Sequence, residues 1–193
     1  INIISNLLFS TISKERILLE IILPSLNILN DMYNRGKISE TEKLLISTTI
    51  LDLVLMTKFV SAIDIPKLNA YSVIVSGSEE ATYQARIASV MLHLMGWHTL
   101  YLPDIESKID PFFDIDIHRL IAKKLKNQKG LSAVMIFSFN ANTLKFLTNT
   151  MKVLRDKIEN DIKIVIFTNN DLLQVSQDIE VDYNTADLTS LIH

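Results

Sequence analysis

The chain has 193 residues, a net charge of −3 and 48% hydrophobic residues, which is the balance of an ordinary globular protein with a real core. The acidic balance argues against direct contact with DNA or RNA, and the absence of cysteine excludes disulfides and thiolate metal sites. Charged residues interrupt the long apolar stretches and no signal-peptide pattern is present, so we expect a cytoplasmic protein without membrane contact.

The first third of the chain, residues 1–66, is predicted to form a helical domain. It is rich in Leu and Ile, and its apolar residues recur at helical spacing within residues 17–29 and again within residues 45–56. We expect a bundle of three or four helices. Its apolar surface offers a symmetric face, so homo-oligomerisation is also expected.

Local signals define the predicted helix boundaries in this part of the chain. Pro24 should kink or split the first helix, and Gly36 should end it. Ser39 and Glu42 have the spacing of a capping box, which opens the next helix.

Residues 67–193 are predicted to form an α/β domain, because strands and helices alternate after residue 66. The predicted strands are residues 71–75, 98–102, 131–137, 162–167 and a short 179–183; the predicted helices are 79–95, 115–127, 142–158 and 186–192. This alternation indicates a flavodoxin-like (Rossmann-type) parallel sheet of about five strands, covered on both faces. Ligands of such sheets lie beyond the strand carboxyl ends, here residues 76–80, 138–142 and 168–170.

Three stretches are similar to motifs of a known two-module family. Residues 23–42 combine a Pro-bearing helix, a Gly turn and a capped second helix. Residues 75–80 (VSGSEE) precede a long helix and a Gly-Trp turn, and residues 134–138 form a strand that ends in Ser138. This order resembles the cobalamin-binding module of methionine synthase and of light-sensing MerR-type regulators. The resemblance implies a corrin pocket between the two modules, with Ser138 lining the pocket for the nucleotide tail.

The chain departs from this family on the side that holds the cobalt. The cobalt-binding His would fall at Glu80, its neighbouring Asp at Ser78, and a small Gly near Tyr83. A Gly-Gly pair that leaves space for the tail is replaced by residues 167–169 (FTN), which include Thr168. A carboxylate is a poor substitute for imidazole on a soft metal, and side chains in place of glycine would collide with a buried tail.

The side that covers the corrin also differs from the family. In the light-sensing relatives a Trp and a Glu-His pair cover the ring, whereas here Tyr33 stands near the Trp and Leu44 near the pair. These departures together imply that cobalamin is not bound in the usual histidine-ligated mode. Tyr33 and Leu44 stay candidates for lining whatever occupies the pocket.

Two further groups of residues are candidate sites with competing interpretations. Ser76, Gly77 and Ser78 precede a predicted helix and could cradle a phosphate, but one glycine fits an ordinary strand-to-helix turn as well. His93 and His98 flank a predicted turn and are candidate haem ligands, with packing or surface roles as the alternative.

The pattern predicts a regulatory module and not an enzyme, because the sequence shows no nucleophile–base pair, metal cluster or glycine-rich phosphate loop. We expect the sensor domain of a bacterial transcription or signalling regulator that acts through a protein partner or through self-association. DNA would be contacted only by a domain outside this chain. Two alternatives stay open: a genuine tetrapyrrole sensor, with cobalamin or haem as cofactor, and a corrinoid carrier subunit of a methyltransferase.

Overall fold

The computed structural model describes residues 6, 12–61, 68–78, 81–103, 105, 111–126, 128–157, 161–177 and 181–190. The helical segments are α1 (Lys14–Arg16), a π-helical segment (Ile17–Ile22), α2 (Leu23–Asn34), α3 (Glu40–Ser61), α4 (Thr82–Leu94), α5 (Pro111–Leu125), α6 (Ala141–Lys157) and α7 (Asn170–Gln177). The strands are β1 (Ala70–Ser76), β2 (His98–Leu102), β3 (Leu131–Phe137), β4 (Ile162–Phe167) and β5 (Tyr183–Thr185). Among the described helices, none has the length and apolar character needed to cross a membrane.

The five strands form one sheet in the order β2-β1-β3-β4-β5, and every pair of neighbours is parallel. This is the flavodoxin-like order, so the predicted fold class is confirmed. Ser76 is level with Phe137, and Phe137 is level with Phe167, so three strands end at the same edge. The loops that follow β1 and β3 flank the switch point of the topology, where such folds place their ligands.

The sheet separates two apolar cores, as a parallel sheet buried on both faces requires. One core contains Val73, Val134 and Ile164 from the strands together with Ile121 of α5 and Leu147 of α6. The other core joins the sheet, α4 and the helical cap, by which we mean α1, the π segment, α2 and α3; its main members are Ile74, Met135, Phe137, Ile87, Met91, Leu18, Ile22, Leu26 and Val54. The cap therefore packs against the α/β part through shared apolar contacts.

Pro24 divides the first helical arm, as predicted, and the structure shows how. A proline has no N–H and its ring clashes with the carbonyl four residues earlier, so a regular helix cannot run through it. The chain widens to π-helical spacing just before Pro24, where the N–H of Leu23 donates to the carbonyl of Leu18. Within residues 12–61 the cap consists of four helical segments, in line with the three or four helices expected, and the first three of them form one arm.

The connection between the two arms follows the predicted signals. Gly36 has a φ of +66°, and the N–H of Lys37 donates to the carbonyl of Met32 at 2.9 Å, which completes a Schellman turn. The backbone N–H of Ser39 donates to the Glu42 carboxylate at 2.8 Å, and the N–H of Glu42 donates to Ser39 Oγ at 3.3 Å. The capping box is confirmed.

The fifth strand lies at Tyr183–Thr185 and not at residues 179–183. Its position is decided by pairing with β4, in which Val165 is level with Tyr183. Asp182 adds to this register, because its carboxylate accepts a hydrogen bond from the backbone N–H of Ile164 at 2.8 Å.

The predicted final helix over residues 186–192 is absent from the described residues 186–190, which form bends and turns. Side chains there bind the backbone in place of helical partners. The N–H of Asp187 donates to Thr185 Oγ1 at 3.0 Å, and the N–H of Thr189 donates to the Asp187 carboxylate at 2.9 Å. Such local bonds compete with helix formation.

Two helix starts were missed in the sequence. Helix α7 was not predicted, although Asn169 Oδ1 accepts a hydrogen bond from the N–H of Leu172 at 3.1 Å and so caps it. Helix α5 begins at Pro111 and not at residue 115, which fits the preference of proline for the first helical turn.

The shared core gives a direct test of how the cap is held. Met91→Ala is expected to lower the free energy of unfolding by about 2–5 kcal/mol, because truncation leaves a cavity. Met91 is only 1% exposed, whereas Met95, just beyond the same helix, is 39% exposed. The matched control Met95→Ala should therefore change stability by less than about 0.5 kcal/mol. Urea unfolding measures both, and equal losses would contradict the packing described here.

Candidate functional site

The loop after β1 is buried, and its polar groups bond within the protein. Ser76 Oγ donates to the carbonyl of Ser78 at 3.0 Å and lies 3.0 Å from Thr82 Oγ1. The N–H of Gly77 donates to the carbonyl of Phe137 at 2.6 Å. Ser78 Oγ accepts a hydrogen bond from the backbone N–H of Phe139 at 3.1 Å. These bonds favour an ordinary strand-to-helix turn over a phosphate cradle.

Gly77 is required by a close approach between the ends of β1 and β3. A Cβ at this position would lie 2.7 Å from Leu147 Cδ1 and 3.1 Å from both Ser138 Cβ and Thr143 Cγ2. No side chain fits there without displacing α6 or the β3 loop. The gap between these strand ends is thus filled by protein atoms.

Ser138 and Thr168 connect the ends of the next strands and are both fully buried. Thr168 Oγ1 donates to the carbonyl of Ser138 at 2.7 Å, and the N–H of Thr168 donates to the carbonyl of Thr185 at 3.0 Å. The N–H of Ser138 donates to the carbonyl of Phe167 at 3.1 Å. The exits of β3, β4 and β5 are therefore held together directly.

Tyr83, in the first turn of α4, reaches the cap. Its hydroxyl donates to Ser47 Oγ at 2.8 Å, and Ser47 Oγ donates to the carbonyl of Leu44 at 3.0 Å. Tyr33 lies under the ammonium of Lys43, with the nitrogen 4.5 Å from the ring centroid. Tyr83 thus lies between the cap and the sheet edge, whereas Tyr33 contacts Lys43 and borders neither of the cavities described below.

Leu44 does not belong to this site. Its side chain is 60% exposed and borders neither of the cavities described below. Successive residues of a helix are rotated by about 100°, so Lys43 and Ser47 face inward while Leu44 points away. Its place in a ligand pocket stays a prediction from the sequence. Glu80, the position of the missing cobalt ligand, lies outside the described residues.

Two cavities lie between the cap and the carboxyl edge of the sheet, and Gln84 and Phe139 border both of them. The smaller, of about 240 Å³, is also bordered by Asn30, Asn34, Lys43 and Tyr83. The larger, of about 300 Å³, is also bordered by Leu23, Asn27, Phe167, Thr168, Asn169, Asn170, Ala186, Asp187 and Leu188. We call the two cavities together the cleft.

The amide groups of the cleft were not predicted from the sequence, although a signal was present. Asn27, Asn30 and Asn34 are spaced three and four residues apart, which places them on one face of α2. Asn is a weak helix former, so three of them on one face of a Leu- and Ile-rich helix call for an explanation. Gln84 has no comparable signal in the sequence.

The two ends of the cleft differ in charge. Lys43 borders the smaller cavity, and no carboxylate of the described residues pairs with it. Asp187 borders the larger cavity, where the hydroxyl and the backbone N–H of Thr189 donate to its carboxylate and lower the pKa of that carboxyl below its usual value. Asp187 is therefore ionised at neutral pH. In the part of the chain that the structure describes, no three His, Asp or Glu side chains are grouped as metal ligands.

His93 and His98 lie away from the cleft. His98 opens β2 and stacks on Tyr71 of β1, with the ring centroids 4.9 Å apart, at the amino edge of the sheet. His93 lies in the last turn of α4, just before that edge. His118 Nε2 lies 2.7 Å from the carbonyl of Thr150 and so connects α5 to α6. These positions fit packing roles.

Comparison with known proteins is informative at the level of fold. No family model and no curated protein matches this sequence. Among solved structures, it is similar to the monomethylamine corrinoid protein of Methanosarcina barkeri, with a TM-score of 0.71 and 11% identity over 99% of this chain and 86% of that one. The two chains share a fold. A cobalamin-binding protein from Desulfitobacterium hafniense DCB-2 aligns with a TM-score of 0.48 and 14% identity over 99% and 88% of the chains.

The close approach at Gly77 yields a prediction. Gly77→Ala is expected to lower the free energy of unfolding by about 1–3 kcal/mol, because the added methyl overpacks the contact with Leu147. Leu147→Val removes Cδ1, the atom nearest to the added methyl group, and serves as the matched background. In the Leu147→Val protein, Gly77→Ala should lower the free energy of unfolding by measurably less than in the wild type. Urea unfolding of the four proteins measures the coupling, and strictly additive losses would show that Gly77 does not lie against Leu147.

Proposed function

We propose that this chain is a regulatory sensor module of a bacterial transcription or signalling regulator, built on a cobalamin-binding fold and without enzymatic activity. The observation that carries the proposal is the close packing of residues at the carboxyl edge of the sheet where the resemblance implies room for a corrinoid. Thr168 donates a hydrogen bond to the carbonyl of Ser138, and Gly77 lies close to the side chains of Ser138 and Leu147.

The described residues close part of the space in which the resemblance implies a nucleotide tail. That space is lined by Ser138 and residues 167–169, and Ser138 and Thr168 are both fully buried, although residues 167–169 also border the larger cavity. Opening that space would break the bond of 2.7 Å from Thr168 to Ser138 and leave buried polar groups without partners. By sequence, Glu80 replaces the imidazole that would bind the cobalt.

The bond between Tyr83 and Ser47 supports a signalling role, since it joins α4 to the cap directly beside the cleft. A ligand in the cleft that displaces Tyr83 must break this bond and change how α3 packs on α4. A module that signals needs such an element with two arrangements, and a ligand acts by binding one of them more tightly.

Exposed apolar residues on the cap support contact with a protein partner or with a second copy of the chain. Phe59 and Leu45 are 74% and 68% exposed, and Leu44, Met56 and Ile28 are exposed as well. Such residues on a helical surface are typical of protein interaction sites. In this proposal DNA is contacted only by another domain, and no membrane is involved.

The proposal assigns no catalysis to the hydroxyl groups at the sheet edge. Ser76 and Thr168 donate to backbone carbonyls, and Ser78 accepts from a backbone N–H. Among the described residues, no histidine or carboxylate bonds to them as a general base would.

A second candidate is a corrinoid-binding protein, either a carrier subunit of a methyltransferase or a tetrapyrrole sensor. It is favoured by the likeness in fold to the corrinoid protein of Methanosarcina barkeri, which extends over 99% of this chain. A shared fold at 11% identity does not imply a shared cofactor, so the two candidates have to be distinguished by the side chains of the site.

A spectrum separates the candidates. Purified protein is incubated with hydroxocobalamin or with haemin, passed through a desalting column and measured in the visible range. We expect a colourless protein fraction, because Ser138 and Thr168 close part of the tail space, Glu80 replaces the imidazole, and His93 and His98 lie away from the cleft. An established corrinoid protein serves as the positive control. A stoichiometric corrin or Soret band that travels with the protein would overturn the proposal and favour the second candidate.

The contact between α4 and the cap is tested by a double-mutant cycle. Tyr83→Phe is expected to lower the free energy of unfolding by about 0.5–1.5 kcal/mol, the usual worth of one hydrogen bond. In a Ser47→Ala background the same change should cost little, because its partner is gone. Tyr183→Phe, at a side chain that is 45% exposed, is the control and should be neutral. Independent effects of Tyr83 and Ser47 would contradict the coupling.

A further inference from the structure

The cleft has the position and size of a small-molecule site. It lies at the carboxyl edge of the sheet, where its lining includes residues that follow β3, β4 and β5. Its two cavities, of about 240 and 300 Å³, share Gln84 and Phe139 in their walls. Together they fall in the range of pockets that hold small ligands.

The charges at the two ends of the cleft select the orientation of a ligand. Lys43 presents an ammonium group without a carboxylate partner among the described residues, so this end favours an anion. Its contact with the ring of Tyr33 leaves its donors available. At the opposite end the ionised carboxylate of Asp187 repels an anion and accepts hydrogen bonds.

Gln84, which borders both cavities, carries a polar atom without a partner. Its side-chain oxygen Oε1 is buried and accepts no hydrogen bond from the described residues. A ligand N–H or O–H that reached this acceptor would satisfy it. The amides of Asn27 and Asn30 face the same space from α2 and supply both donors and acceptors.

Phe139 provides the apolar element of the cleft. It is partly buried, borders both cavities and is tilted against Phe167, with the ring centroids 6.2 Å apart. An aromatic side chain beside hydrogen-bonding amides is the combination with which proteins hold flat, hydrogen-bonding rings.

We infer that the cleft binds a mononucleotide-like ligand, with its anionic group at Lys43, its ring against Phe139, and its N–H donors directed to Gln84 and Asp187. Because the ligand would be the signal that the proposed sensor detects, this inference rests on the proposed function. The binding itself is measured without reference to any regulatory output. Entry of the ligand beside Tyr83 would act on the bond that joins α4 to the cap.

Calorimetric titration of the purified chain with AMP, adenosine and inorganic phosphate tests the inference. We expect AMP to bind about tenfold more tightly than adenosine, the effect of one charge-assisted hydrogen bond, and phosphate alone to bind more weakly than either. Lys43→Gln should reduce the affinity for AMP to that for adenosine, and Lys43→Arg should restore most of it. Gln84→Met should weaken both AMP and adenosine.

Lys123→Gln is the matched control, because Lys123 is an exposed lysine on α5, whose packing is with the other core. It should bind AMP as the wild type does. Absence of AMP binding up to about 1 mM, which marks very weak affinity, would overturn the inference. Equal binding of AMP by Lys43→Gln and wild type would do so too, as would phosphate binding as tightly as AMP. These outcomes are independent of the cobalamin and haemin spectra, so failure of this inference is distinguishable from failure of the proposed function.

Discussion

The packing of α4 on both sides is the constraint on which the rest of the structure depends. This helix contacts β1, β2 and β3 of the sheet and also α2 and α3 of the cap. Its residues 87–92 are all buried, so it has no solvent-facing stripe over almost two turns. The cap and the α/β part are thereby joined through one core, while their division into two domains at residue 66 stays a prediction from sequence.

The same helix connects this core to the candidate site. Its first turn follows the loop after β1 and carries Tyr83 to the cap and Gln84 into the cleft. Because the helix is held along its length by the sheet and the cap, these two side chains have defined positions at the sheet edge. A ligand that moves this first turn acts on the whole helix, since a packed core does not deform locally without cost.

The fold and the side chains at the strand ends carry different information. The fold is shared with the monomethylamine corrinoid protein of Methanosarcina barkeri, and parallel sheets of this kind place ligands at their carboxyl edge. At that edge Gly77 lies close to Leu147, and Thr168 binds Ser138. The cleft between this edge and the cap stays open and is lined in part by amides. The chemistry of a site is set by such side chains and not by the architecture that carries them.

The sequence by itself determined the elements whose signals are local. Strands β2, β3 and β4 were predicted at their observed bounds because each is a short run rich in β-branched or other apolar residues, and Gly36 marked its turn because a positive φ favours glycine. Only the tertiary structure decided where β5 pairs, that Leu44 faces outward, and that Gln84 borders the same cavities as the asparagines of α2. Those features depend on contacts between residues far apart in the chain, and periodicity carries no information about which distant surfaces will meet.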